Sequence, residues 1–362
     1  MSYTKKMTEG SELKHIILFT LPLFAGNVFQ QLYNIVDSII VGKYLGANKL
    51  AAVGTTGSLT YLFSTLCIGL SVGAGILISQ RFGAGMHKEV RKLITNSAYV
   101  IIAFGAVITV ISVAFAGLLM KMMNTPENLL EDATAYMRAA CSGTICVAAY
   151  NWINSVMRSL GDSRTPLIFL VVASLLNVGL DLLFVLVFHW GIAGAAWATV
   201  IAQYMSGVGI LWFFLAKCKH LLPKKKELHY DRTILKDIFQ LSSLTCVQQS
   251  VMNFGILMVQ GLVNSFGATV MAAFAAAVKI DTFAYLPVQD FGNAFSTFIA
   301  QNYGAGNRER LREGTRKAFL LSFVFSAVIS ALVVTFAETL MGLFVNASET
   351  AVVATGAHYL RI

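Results

Sequence analysis

Four aspartates and one lysine lie inside long apolar runs of the chain: Asp37, Asp181, Asp281, Asp290 and Lys279. A charge at the centre of a hydrocarbon layer costs at least ~2.5–3.5 kcal/mol, so each of these residues is a functional candidate. Tyr33 precedes Asp37 by one helical turn, and Asn177 precedes Asp181 by one turn. That i, i+4 spacing puts each polar pair on one helix face. Counted from the ends of their runs, Asp37, Asp181 and Thr199 share a depth of roughly 6–10 Å below one membrane surface, at about 1.5 Å per residue. Burial disfavours the charged form of a carboxyl group, so acids placed this way suit uptake and release of H⁺ near neutral pH. The oxygens of Asp37, Asp181, Asn177 and Thr199 are equally a donor set for Na⁺, a hard cation. The competing reading is a set of hydrogen-bonded acids that only fixes helix packing.

A second group comprises Lys279, Asp281 and Asp290, near Pro287. Lys279 and Asp281 are two residues apart and face different directions, so their partners are expected on other helices. A structural ion pair and a second coupling site fit this group equally. The run at 237–265 carries Gln240, Gln248, Gln249, Asn253 and Gln260 but no acid after its first residue. These amides either line a water-filled cavity or bond between helices. Pro22 interrupts the first run, where a proline removes a backbone hydrogen bond and gives either a hinge or a fixed kink. All six histidines fall at run ends or in connections, and the chain holds no HExxH, no Cys/His metal set and no GxxxxGK[ST]. No catalysis, structural metal or cofactor is expected, and any pumping must draw on a gradient of H⁺ or Na⁺.

The elements that must position these residues are membrane helices. Of 362 residues, 56% are hydrophobic and 12% charged, about half the charge of a water-soluble domain. This excludes a soluble enzyme and a disordered chain. Five cysteines, mostly in apolar runs, argue against a disulfide framework. Runs long enough to cross a bilayer occur at 16–41, 51–79, 93–120, 135–157, 165–188, 192–216, 237–265, 270–300 and 315–344, and a tenth begins near 350. Most of the 27 basic residues fall in alternate connections, densest in 217–236 and 302–317. The positive-inside rule then places the N-terminus in the cytoplasm of a multi-pass plasma-membrane protein. The net charge of +9 is thus a topology signal, and no nucleic-acid partner is expected.

The chain also repeats itself. Gln80-Arg-Phe-Gly-Ala-Gly85 returns as Gln301-Asn-Tyr-Gly-Ala-Gly306, Leu13-Lys14 as Leu235-Lys236, Gly46 as Gly267, and Tyr136-Met-Arg138 as Tyr359-Leu-Arg361. The offsets stay at 221 to 223. The expected fold is all-α and polytopic, with two parallel six-helix repeats related by a pseudo-two-fold along the membrane normal. The first lobe is expected over 1–216, a basic cytoplasmic linker over 217–236, and an incomplete second lobe over 237–362. On this reading the chain is a fragment of a twelve-helix protein, and a monomer.

Pro22 with Tyr33-Asn-Ile-Val-Asp37, the Gln80…Gly85 motif and its repeat, Asn154 to Gly161, Asn177-Val-Gly-Leu-Asp181 and Gly191-Ile-Ala-Gly-Ala-Ala-Trp-Ala-Thr199 together resemble the multidrug and toxic-compound extrusion (MATE) transporters, in particular the DinF-like prokaryotic branch. The resemblance covers essentially the whole chain. It implies export of small organic cations in exchange for H⁺ or Na⁺. It also implies cation coupling at Asp37 and Asp181, with Tyr33, Tyr136, Asn154, Asn177 and Thr199 around them, and bending of the first helix at Pro22. The run at 237–265 lacks the acid that another branch uses. The alternative is a lipid-linked-oligosaccharide flippase of the same broad superfamily, which would call for a cationic central cavity. Apart from transported molecules, membrane lipid is the only partner expected.

Overall fold

The computed structural model describes residues 5–123, 125–223, 227–344 and 349–361, without the side chains of 47, 48, 50, 51, 58, 128, 253, 257, 260, 264 and 268. The described residues form thirteen α-helices and no strand. The first repeat holds α1 (Glu12–Ile40), α2 (Ala47–Gly83), α3 (His87–Ala114), α4 (Ala116–Met122), α5 (Glu127–Ser142), α6 (Thr144–Ser159), α7 (Arg164–Leu182) and α8 (Gly191–Lys217). The second holds α9 (Arg232–Asn264), α10 (Ala268–Gly304), α11 (Arg308–Thr335), α12 (Ala337–Gly342) and α13 (Thr350–Leu360). Eight of these, among the described residues, are long and apolar enough to cross a membrane. Large apolar side chains such as Val110, Trp212 and Phe323 point outward, as a lipid-facing surface requires.

Three of the apolar runs are not single helices. The run at 135–157 breaks at Gly143 between α5 and α6. There α8 comes so close that a Cβ on Gly143 would stand 2.8 Å from Val200 Cγ2. The run at 93–120 breaks at Phe115, shortly after Ser112 Oγ donates to the Ile108 carbonyl at 2.7 Å. The run at 315–344 breaks at Phe336, after Thr335 Oγ1 donates to Ala331 at 2.6 Å. Hydroxyls that bond back to i−4 carbonyls loosen and bend a helix.

The repeat is visible in the backbone. Gly46 and Gly267 cap α2 and α10 with φ/ψ of 89°/168° and 91°/173°, a region open to glycine and strained for side chains. Phe115 and Phe336 end α3 and α11 at −103°/15° and −102°/18°. Both α2 and α10 have 37 residues, and both α3 and α11 have 28. The C-terminal ends of α2 and α10 also cross reciprocally. A Cβ on Gly83 would lie 2.7 Å from Gln301 Cα, and one on Gly304 would lie 2.8 Å from Gln80 Cα. Such mutual contact is the mark of a two-fold relation.

Beneath that crossing lies the N-terminal arm. Lys5 N donates to Leu160 O at 2.8 Å and Met7 N to Gln301 Oε1 at 2.8 Å, while Arg310 Nη1 donates to Gly10 O at 2.8 Å. The arm thereby ties the end of α6 to the ends of α10 and α11. The linker is pinned to the same end of the molecule. Arg91 on α3 makes a two-pronged ion pair with Glu227, both bonds at 2.7 Å. The Asp231 carboxylate caps α9 by accepting from Thr233 N and Ile234 N. The basic connections therefore gather on one side. Above them, Ile78, Phe82, Val90, Met157 and Phe214 knit α2, α3, α6 and α8 into the main core.

Candidate functional site

One face of α1 carries Gln30, Tyr33 and Asp37 at helical spacing, and one face of α7 carries Asn177 and Asp181. Packing of α1 on α7 brings Asp37 and Asp181 carboxyl against carboxyl. Asp181 is fully buried and Asn177 is 3% exposed, whereas Asp37 is half-buried. The Tyr33 and Tyr136 phenols are electrostatic neighbours of both acids. With the Asn177 amide turned nitrogen towards the acids, Nδ2 donates to Asp181 Oδ2 at 3.3 Å and Oδ1 accepts from Thr199 Oγ1 at 3.2 Å. Asp37 Oδ1 and Asp181 Oδ1 are buried and meet no donor among the described residues. Two carboxyl groups in contact, each with an orphaned oxygen, form a site short of positive charge. A proton or a small cation between them relieves both the repulsion and the missing bonds.

Next to the acids is an open cleft lined by Gln30, Tyr33, Tyr150, Asn177, Thr199 and Gln203, among others. Tyr33 and Asn177 thus face both the cleft and the acids, and Thr199 reaches Asp181 through Asn177. Asn154 is buried on α6, one turn from Tyr150, and its Oδ1 has no donor among the described residues. Pro22 sits within α1, which runs on unbroken to Ile40, so the Leu18 carbonyl lacks its helical donor.

The second-lobe candidates do not gather. Lys279 is exposed and makes no ion pair among the described residues. Asp281 pairs with Tyr359 of α13. Asp290, roughly 14 Å further along α10 at 1.5 Å per residue, is 1% exposed and accepts from Asn27 Nδ2 at 2.7 Å. Gln240 and Gln248 are exposed, and the side chains of Asn253 and Gln260 lie outside the described residues.

Sequence reasoning passes over Gln30, Tyr150 and Gln203. Each carries a signal: Gln30 is one turn from Tyr33, Tyr150 one turn from Asn154, and Gln203 one turn from Thr199.

Known proteins resemble the chain along nearly its whole length. The family model described as MatE matches residues 22–183 and 245–362. The "Probable multidrug resistance protein YpnP" of Bacillus subtilis (strain 168) is 31% identical over 366 residues, covering 98% of this chain and 79% of that protein. "Probable multidrug resistance protein YoeA" of the same organism is 28% identical, covering 97% and 77%. Among solved structures, an outward-facing multidrug resistance MATE family transporter of the MOP superfamily superimposes with a TM-score of 0.89 at 25% identity, over 97% of this chain and 78% of that one. Matched helix caps in the two repeats, one reciprocal helix crossing and the matched sequence segments point the same way: this multi-pass membrane chain belongs to the MatE family.

Proposed function

We propose that the protein is a secondary active antiporter that exports small organic cations in exchange for H⁺ or Na⁺, with the coupling ion held at Asp37 and Asp181. The observation that carries this reading is the carboxyl pair with two orphaned oxygens, one on the proline-weakened α1 and one on α7. Loading a cation there changes the charge beside the cleft, so ion and cationic cargo compete for one negative site. The names of the relatives, multidrug resistance proteins, support small-molecule drugs as the cargo. The chemistry of Asn177 separates the ions: its amide nitrogen on Asp181 suits a shared proton, whereas Na⁺ needs Oδ1 turned towards the acids. The clustered basic connections support an N-terminus and a linker in the cytoplasm, on the inner side of a plasma membrane.

The test is ethidium efflux from proteoliposomes, with a pH gradient and a Na⁺ gradient imposed separately. We expect one gradient to drive efflux and the response to be lost in both Asp37→Asn and Asp181→Asn. Full coupled activity in both variants would overturn the assignment of the site. Failure of the native protein under both gradients would overturn antiport.

A further inference from the structure

Asp290 is the most buried acid outside the coupling pair, and it stands where the two lobes meet. Its Oδ1 accepts from Asn27 of α1 at 2.7 Å, across 263 residues of sequence. Its Oδ2 is buried and makes no hydrogen bond, although Asn293 lies one turn along α10. The Arg158 guanidinium on α6 is near enough to act electrostatically on Asp290, yet the two form no ion pair. Arg158 also has no ion pair with any other described residue, so its guanidinium is not committed elsewhere. Asp290 therefore has one partner in hand on α1 and a stronger one in reserve on α6.

Both helices at this contact are broken in their hydrogen-bond ladders close by. Pro22 lies five residues before Asn27 on α1, and Pro287 lies three residues before Asp290 on α10. Each proline leaves a carbonyl without its helical donor, so each helix bends here at lower cost than elsewhere. Both partners of Asp290 come from the first lobe, but from two different helices, α1 and α6. When α1 moves, Asn27 is withdrawn and a buried carboxylate is left bare, which is expensive unless another donor replaces it.

We propose that Asp290 is a positioning residue for transport: through Asn27 it holds α1 against the second lobe in this state, and it exchanges Asn27 for Arg158 when α1 leaves. The exchange gives α1 two discrete positions, each with the carboxylate satisfied, in place of a continuous drift.

The test measures the α1–α10 separation directly and needs no knowledge of the cargo. Spin labels at Leu32→Cys and Phe283→Cys, both half-exposed at 51% and 48%, are placed in a background whose five native cysteines are replaced by alanine. Distances are read by pulsed electron paramagnetic resonance in lipid nanodiscs. Two populations are expected in the native pairing. Asn27→Ala should favour the separated population about tenfold, the effect of losing one charge-assisted hydrogen bond. Asp290→Asn should act in the opposite sense, because its amide oxygen still accepts from Asn27 but cannot pair with Arg158. Arg158→Gln should follow Asp290→Asn. A purely structural contact would shift all three variants in one direction or none of them, and either result would overturn the exchange. The readout is a distance, so it stands apart from cation-coupled efflux: the exchange can fail while antiport holds, and antiport can fail while the exchange holds.

Discussion

Positions 69 and 290 occupy the same place in the two repeats, 221 residues apart, yet one is glycine and the other aspartate. Each stands where a long helix of one lobe crosses the first helix of the other. At the α2–α9 crossing the backbones close on one another. A Cβ on Gly69 would lie 2.6 Å from Cys246 Sγ, and one on Gly73 would lie 2.5 Å from Ser242 Cα. Ser242 Oγ adds a bond to the Leu70 carbonyl at 3.1 Å. At the α1–α10 crossing Phe19 and Leu23 share a buried cluster with Ala294 and Phe298, and above it a side-chain hydrogen bond runs from Asn27 to Asp290. Shape-matched glycine contact has one geometry, whereas a hydrogen bond can be exchanged. If Asp290 exchanges partners as proposed, the pseudo-symmetric scaffold has one fixed crossing and one releasable crossing, and the releasable one involves the helix that carries Asp37.

Placing the acid in the wrong repeat should have the largest effect. Gly69→Asp forces an unpaired charge into the tight crossing, and we expect a loss of ~3–5 kcal/mol, seen as failure to recover monodisperse protein from detergent. Near-native thermal stability would show that the α2–α9 crossing is not closely packed. Gly73→Val is next: overpacking against Ser242 should cost about 1–3 kcal/mol, read as a lower unfolding temperature. Ala294→Val, at the equivalent place on α10, should cost less if that crossing yields. Asp281→Asn tests whether every second-lobe acid matters. It keeps a polar partner for Tyr359, so stability should change by under about 1 kcal/mol and the gradient response of efflux should persist. Smallest is Glu338→Gln, which removes the exposed ion pair with Arg361 at 2.9 Å. A change within about 0.5 kcal/mol is expected, and a larger one would mean that α12 and α13 are held by that pair.

The helices are legible in the sequence because crossing a bilayer demands unbroken apolar length, and the repeat is legible because Gln80 to Gly85 recurs almost intact. The interruptions at Phe115, Gly143 and Phe336 are not, since a break between two apolar helices leaves the composition of the run unchanged. Counting residues from the run ends puts Asp37, Asp181 and Thr199 at one depth, but depth does not say which helices are neighbours. The Asn27–Asp290 bond shows the limit: nothing local to either residue points across 263 positions. In the sequence Arg158 is only a charge near the membrane surface, because its electrostatic reach to Asp290 depends on how α6 lies relative to α10.

The N-terminal arm also bears on how the protein is made. Residues 5–10 emerge from the ribosome long before their partners, since Met7 is bonded to Gln301, and Met7 and Gly10 to Arg310. They must wait at the membrane face while some three hundred residues are synthesised and inserted before their partners exist. Bulk added directly before the arm should therefore trouble the last step of assembly more than insertion of any single helix.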